Sequence, residues 1–361
     1  MYSWKQYNIM HGWDKIAEIQ KNGLCRIYAQ KMMPYNLYLE EDDDLDTRVQ
    51  NLDNFYYWCA SRLLTLDRIY AKEILNSIGA DQANTDRQRA MTALSYHCLS
   101  LRDIYWAEAD GEHQDFSRLN LYENHLSDAF VDVSLRGKQM TIQNSHLIAD
   151  DLGTHGCYPK AWIRREGTFY LLKDGGEELV QAELLASKIC QCFQCSQVAY
   201  GQGEYDGQPV SVSRIITSVE KSIVPMEYFM IYAANQELDW MQYVMELDAY
   251  SYHMMNILDY LVGNTDRHWG NWGLLVDNQT NVAIRLYDLM DFNRAFQAYD
   301  TIEGANCLTT QRKMTQREAA VEGVKAVGLN QLQEIPEVWF ETPYIWEMFQ
   351  RRMEILKSQQ F

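Results

Sequence analysis

Apolar residues recur at steps of three and four between Asn54 and Ile78, at Leu63, Leu66, Tyr70, Ile74 and Ile78. That spacing predicts a one-sided helix over 54–78, with Gly79 placed to end it. A second helix is expected from Thr85, because Thr85 and Gln88 stand at capping-box spacing and Ala90, Leu94 and Leu101 supply an inner face. Between Trp106 and Tyr170 the pattern becomes strand-like. Phe130 to Leu135, Lys160 to Arg164 and Thr168 to Lys173 are β-rich pieces separated by glycine-containing turns. Glu177 to Gln194 is helix-like. Val198 to Tyr200 and Val210 to Ile216 read as strands around a turn at Gly201-Gln202-Gly203 and Asp206-Gly207. From Gln236 the helical period returns. Leu238 to Val262 forms a long helix ending at Gly263, and Thr315 to Lys357 holds further helices.

Sheet-rich material followed by a helical half predicts an α+β chain of two lobes joined near residues 217–224. The expected division is a helical accessory segment over 1–84, a small sheet-containing N-lobe over 85–220 and a mostly helical C-lobe over 221–361. The acidic run Glu40 to Asp46 reads as a solvated loop.

Composition narrows the classes. With 47% apolar and 23% charged residues the 361-residue chain is globular rather than disordered, and 19 Gly and 6 Pro exclude a collagen-like repeat. The formal charge of −18 opposes a broad nucleic-acid surface. No apolar run approaches the ~18–20 residues of a membrane helix, and the N-terminus lacks a signal-peptide pattern. Eight cysteines show no framework spacing, and Cys190, Cys192 and Cys195 lack a second Cys/His pair for zinc. A reduced, cytoplasmic protein is expected. The Trp, Tyr and Met content, for example Trp240, Tyr243, Met245 and Tyr252, falls in helical stripes that suit core packing.

One segment carries chemistry. Gly263-Asn264-Thr265-Asp266-Arg267-His268-Trp269-Gly270-Asn271 follows the long helix. A strand-turn-strand pattern comes next, and Asp288 follows it directly. Phosphoryl transfer needs a carboxylate to orient and deprotonate the attacking hydroxyl, and an Asn and a second carboxylate to hold Mg²⁺ against phosphates. Asp266 and Asn271 stand five residues apart, as the catalytic Asp and metal-binding Asn of protein kinases do. The hairpin would return Asp288 to the same cleft, and such oxygen ligands suit Mg²⁺. A kinase also needs a strand lysine and a helix glutamate. Lys173 ends the strand Thr168 to Lys173, and Glu183 lies on the following helix, whose small residues Ala186 and Cys190 let it approach the sheet. Gly153-Thr154-His155-Gly156 before the strand beginning at Ala161 is the candidate phosphate loop. His268 would fix the Asp266 loop, contact phosphate or simply pack. Asp291 reads as a cap for the segment after it, in preference to an extension of the metal site.

The loop together with Leu286-Tyr287-Asp288 resembles the HipA-like serine/threonine kinases of bacteria, whose catalytic loop is Asn-Thr-Asp-x-His-x-x-Asn followed by a Tyr-Asp or Phe-Asp metal motif. The similarity extends upstream through Gly156 to Trp162 and Lys173, over roughly residues 90–300. It implies a two-lobed kinase fold that uses ATP and Mg²⁺, with Asp266 as catalytic base, Asn271 and Asp288 as metal ligands, and Lys173 on the nucleotide phosphates. It also implies a protein or peptide substrate bearing Ser or Thr, and an antitoxin-like partner. Two departures stand beside it. The hydroxyl nearest the family's autophosphorylated serine is Thr154, with Ser145 further off, and the first 80 residues differ from the N-terminal subdomain of the toxin kinases. The Asp-Arg-His-x-x-Asn string also resembles phosphoinositide kinases, but an acidic surface disfavours anionic membranes. A silent kinase-like binding module and a small-molecule phosphotransferase, such as an aminoglycoside kinase, are the alternatives.

Overall fold

The structure, a computed structural model, describes residues 5–78, 80, 85–124, 156–297 and 299–360. The expected strand Phe130 to Leu135, the helix-ending Gly79, and Ser145 and Thr154 lie outside the described residues. Among the described residues the chain is mixed α/β, with three small sheets.

The first sheet has the order β3-β2-β1-β4, built from β1 (Gln6–His11), β2 (Asp14–Gln20), β3 (Cys25–Ile27) and β4 (Tyr105–Ala109). Ile9, Ile16, Ala17 and Ile19 bury its inner face against Phe55 and Trp58 of α1 (Leu45–Ala60) and Ala90 and Leu94 of α3 (Asp86–Ser95). Asp44, from the acidic run, caps α1 by accepting the N–H groups of Asp46 and Thr47 at 2.9 and 3.0 Å. Thr85 and Gln88 form the expected capping box.

Three expectations fail here. The segment 1–84 is not simply helical, because β1, β2 and β3 lie within it. No boundary falls at residue 84 either, since β4 pairs along β1 and α3 shares the core of α1. The helix over 54–78 is two helices, α1 and α2 (Ala71–Ser77). Between them Arg62 turns inward to a buried ion pair with Asp103 at 2.6 Å, and Tyr70 adopts a positive φ of 65°. These tertiary contacts override the periodicity.

The second sheet has the order β5-β6-β8-β7, from β5 (Lys160–Arg165), β6 (Thr168–Lys173), β7 (Tyr200–Tyr205) and β8 (Gln208–Arg214). After α4 (Phe116–Leu119) in the first unit, α5 (Glu177–Cys190) is the helix that lies against β7 and β8. Gly201 and Gly203 sit inside β7 rather than in the turn, which is Asp206-Gly207 alone. A Cβ on Gly203 would fall 2.5 Å from Val212 Cγ2, so glycine there serves close strand contact rather than chain reversal.

Residues 215–220 carry the chain to the third sheet, ordered β11-β10-β9, from β9 (Lys221–Pro225), β10 (Gly273–Asp277) and β11 (Val282–Leu286). Its helices are α6 (Met226–Asn235), α7 (Trp240–Val262), α8 (Gln316–Val327) and α9 (Pro343–Lys357). Tyr260, Leu261 and Val262 of α7 pack with Leu274, Leu286 and Phe292 in the largest core cluster described. The helix kinks at Asp248, whose carboxylate accepts the N–H of Leu286 at 3.1 Å and that of Ser251 at 3.0 Å. Gly263 ends it in the left-handed region, φ 62°.

The N-terminal unit touches both other regions. Ile69 N–H donates to Cys157 O at 2.8 Å, and the Arg68 guanidinium donates to Lys160 O. On the helical side, Ile223 N–H donates to Arg102 O at 2.9 Å, and Tyr35 and Tyr105 donate to Asn281 at 3.0 and 3.1 Å. No described helix is long and apolar enough to cross a membrane.

Candidate active site

Lys173 ends β6 with its ammonium buried. Nζ donates to Glu183 Oε1 at 2.8 Å, to Asp291 Oδ1 at 3.0 Å and to the Tyr200 hydroxyl at 3.3 Å. Glu183 is 1% exposed in the second turn of α5, and its other oxygen accepts the Ser211 hydroxyl. Burial alone would lower the Lys173 pKa, but the carboxylates of Asp291 and Glu183 outweigh it and hold it well above its ordinary value. Asp291 shows the converse. Burial would raise its carboxyl, and the charges of Lys173 and Lys160 hold it well below the usual carboxylate range.

Lys160 stands directly opposite Lys173 in the β5–β6 ladder and is equally buried, each 9% exposed. Its Nζ makes no hydrogen bond or ion pair among the described residues. Burial, countered in part by Asp291 and reinforced by the Lys173 charge, pushes its pKa down to about 8. Gly156, with φ 101°, lies against it, since a Cβ there would come within 2.6 Å of Nζ. Two buried ammonium groups thus share a site whose nearby carboxylates are already engaged by one of them.

The loop after α7 is held from beneath. Arg267 is buried and forms an ion pair with Asp259 of α7, Nε to Oδ2 at 2.8 Å and Nη2 to Oδ1 at 3.0 Å. Its Nη1 donates to Asn271 O at 2.9 Å and to Met290 O. Asn264 donates to Asp259 Oδ1 at 3.0 Å and to Asp291 O at 3.4 Å. This buried set ties the loop that carries Asp266 to the segment that carries Asp291. Asp266 O accepts from Asn271 Nδ2 at 2.8 Å and from His268 N–H at 2.9 Å, which closes the loop on itself. The Asp266 carboxylate is half-buried and accepts no hydrogen bond from a described residue. His268 is exposed, and its Nδ1 accepts the Gly270 N–H at 3.0 Å, so the imidazole shapes the turn.

The third carboxylate lies differently from expectation. Asp288 pairs with Arg285 on β11 at 2.7 Å and lines a cleft of about 690 Å³ between the start of β6, residues 215–219 and Leu275. Asp291, expected to cap the segment after it, is the residue that reaches Lys173. The backbone turns to φ 63° at Asp291, and its N–H donates to Tyr200 at 3.1 Å, which aims the side chain into the sheet rather than along its own segment. Asn271 lines a separate small pocket with Trp272 and Tyr287. Among the described residues no group of three or more His, Cys, Asp or Glu side chains is arranged to hold a metal. Thr154 lies outside the described residues.

Asp259, Asn264, Arg267, Lys160 and Tyr200 were not singled out from the sequence. For Lys160 a signal existed. Counting back from a two-residue turn at Glu166-Gly167 puts it opposite Lys173. For Asp259 and Arg267 the spacing of eight residues across a helix end has no local signature.

No protein-family model matches the chain, and no characterised protein matches it in sequence. Among solved structures, the proinflammatory kinase CtkA of Helicobacter pylori is similar at 13% identity and a TM-score of 0.41, over 56% of this chain and 90% of that one. A likeness of that extent carries no argument, and the functional reading rests on the site itself.

Proposed function

We propose that the chain is an ATP- and Mg²⁺-dependent phosphotransferase of a two-lobed kinase-like architecture, acting on a Ser or Thr hydroxyl of a protein or peptide. The observation that carries this reading is Lys173, held between Glu183 at 2.8 Å and Asp291 at 3.0 Å at the end of a sheet strand. A lysine so fixed is a pre-oriented point charge for nucleotide phosphates. The donor set fits the ligand. Among the described residues Lys160 is a buried cation with no ion pair of its own, a condition that a phosphate oxygen would relieve. Gly156 leaves backbone room beside it.

For Mg²⁺ the oxygen donors would be Asp291 and the Asn271 Oδ1, the latter oriented by the bond its Nδ2 makes to Asp266 O. Asp288, the second carboxylate of the HipA-like motif, would have to release Arg285 to join them. The ion would neutralise charge on the transferred group. Asp266 orients and accepts the proton of the incoming hydroxyl, and its open carboxylate is suited to that role. Arg267 and Asp259 hold the loop at a fixed distance from Asp291. The HipA-like assignment rests on the loop string Asn264 to Asn271 and is part of this proposal, as are the antitoxin-like partner and the cytoplasmic location.

The test is incubation with labelled ATP and Mg²⁺. Asp266→Asn is expected to lower transfer by about 10²–10⁴-fold while the ATP-induced thermal shift persists. Undiminished transfer in that variant removes the role given to Asp266. If the unmutated chain shows no shift with ATP, a kinase-like binding module replaces the enzyme.

A further inference from the structure

The same loop presents a second face to solvent. Trp269, between Asp266 and Asn271, is 39% exposed, yet its ring is held. Nε1 donates to Leu308 O at 3.2 Å, and the ring lies 6.1 Å from that of Trp240. Leu308 is itself 46% exposed, and Leu238, just before α7, is 41% exposed. Scattered apolar side chains on a surface need no explanation, but Trp269, Trp240 and Leu308, joined by a hydrogen bond and a ring contact, mark an interaction site.

The rim is acidic. Glu237 and Asp239 flank Leu238 and are exposed. Asp239 is held by the N–H groups of Met241 and Gln242 and by Gln311 Nε2 at 3.0 Å. A Glu227 carboxylate oxygen lies 3.6 Å from the place a Cβ on Gly270 would take. Of the basic residues after Gln311, Arg312 is paired with Glu322, and Lys313 is exposed. Three carboxylates therefore border an aromatic surface.

We infer that this surface docks the acceptor. The partner is a polypeptide segment that places an aromatic or aliphatic side chain on Trp269, Trp240, Leu238 and Leu308, and an Arg or Lys against Glu227, Glu237 and Asp239. Trp269 is three residues from Asp266, a span of at most ~11 Å. An extended segment covers that distance in about three residues, so the docking side chains belong within about three residues of the phosphorylated hydroxyl. Cations favour both parts of the surface, through the carboxylates and through the indole face. The inference deepens the phosphotransfer reading and names the substrate class it would serve.

The experiment uses the full chain and two short synthetic peptides. One carries Ser flanked by Arg and Phe, and in the other Glu replaces Arg and Gly replaces Phe. Binding is read by calorimetry in the Asp266→Asn variant, so that no turnover intervenes. The Arg/Phe peptide is expected to bind at least about tenfold tighter. Trp269→Ala, Asp239→Lys and, at a more exposed site, Leu308→Asp are each expected to erase most of that margin. Equal affinity for the two peptides, or an unchanged margin in Leu308→Asp and Asp239→Lys, overturns the docking surface. The ATP thermal shift of the unmutated chain is measured in parallel. Its loss overturns the phosphotransfer reading alone, and peptide discrimination would then stand as binding without transfer.

Discussion

Lys160 illustrates how one side chain can be costly for folding and useful for binding. Its ammonium is buried with Asp291, Lys173, Arg68 and Glu183 around it, and its pKa falls from 10.5 to about 8. A lysine lowered on folding destabilises the native state fully below about pH 8. The penalty shrinks as pH rises from there toward the unfolded value and vanishes above it. Lys160→Met is therefore expected to raise stability at pH 7, by on the order of 3 kcal/mol from the shift alone, with no gain near pH 10.5. The same change should weaken ATP binding. Melting curves at both pH values, paired with calorimetry, check both halves. A variant that is no more stable at pH 7 would show that the ammonium already has a counter-charge. At Lys173 the opposite holds. Removing one member of a satisfied buried cluster strands the charges of Glu183 and Asp291, at about 3–5 kcal/mol.

At the scale of elements, the site depends on how closely β9, β10 and the loop before β10 can approach. Gly273 opens β10, and a Cβ there would fall 2.2 Å from Val224 O on β9. Backbone cannot give way as a side-chain tip can. Gly273→Ala is therefore expected to cost at least ~1–3 kcal/mol and to displace the loop carrying Asn271, read as a lowered denaturant midpoint together with weaker Mg²⁺-dependent ATP binding. Gly201→Ala, where the nearest atom is Val212 O at 3.9 Å, is expected to stay within about 0.5 kcal/mol of the parent. The contrast separates glycines that permit contact from glycines that merely occupy a strand. Periodicity could locate α7 and its end at Gly263, but nothing along the chain distinguishes Gly273 from Gly201.

For the whole molecule, the N-terminal unit acts as a brace. It holds the start of the second sheet through Ile69 and Arg68, and the helical side through Arg102, Tyr35 and Tyr105. Asn281, at the turn between β10 and β11, is the tie on the helical side. Its side chain donates to Lys31 O and Met33 O, each at 3.0 Å, and accepts from Tyr105, at a positive φ of 55°. Asn281→Gly keeps that backbone conformation and deletes the side-chain bonds. The expected loss is about 1.5–4.5 kcal/mol, from roughly 0.5–1.5 for each of the three bonds, with faster hydrogen exchange in β4 and around residues 31–35. Unchanged exchange there would mean that the brace is carried by the apolar contacts alone.

The linear chain determined what depends on short-range spacing. The order of strand, helix, long helix, loop and hairpin was legible because each has its own period. So were the Asp266–Asn271 separation, the Thr85 capping box and the Lys173 strand end, since each sits within one element or turn. The three-dimensional arrangement decided what depends on contacts between distant segments. It joined residues 105–109 to the first strand, broke the helix expected over 54–78 at Arg62, and brought Asp291 rather than Asp288 to Lys173. Pairing across 41 to 118 residues set those outcomes, and such couplings leave no periodic trace in sequence.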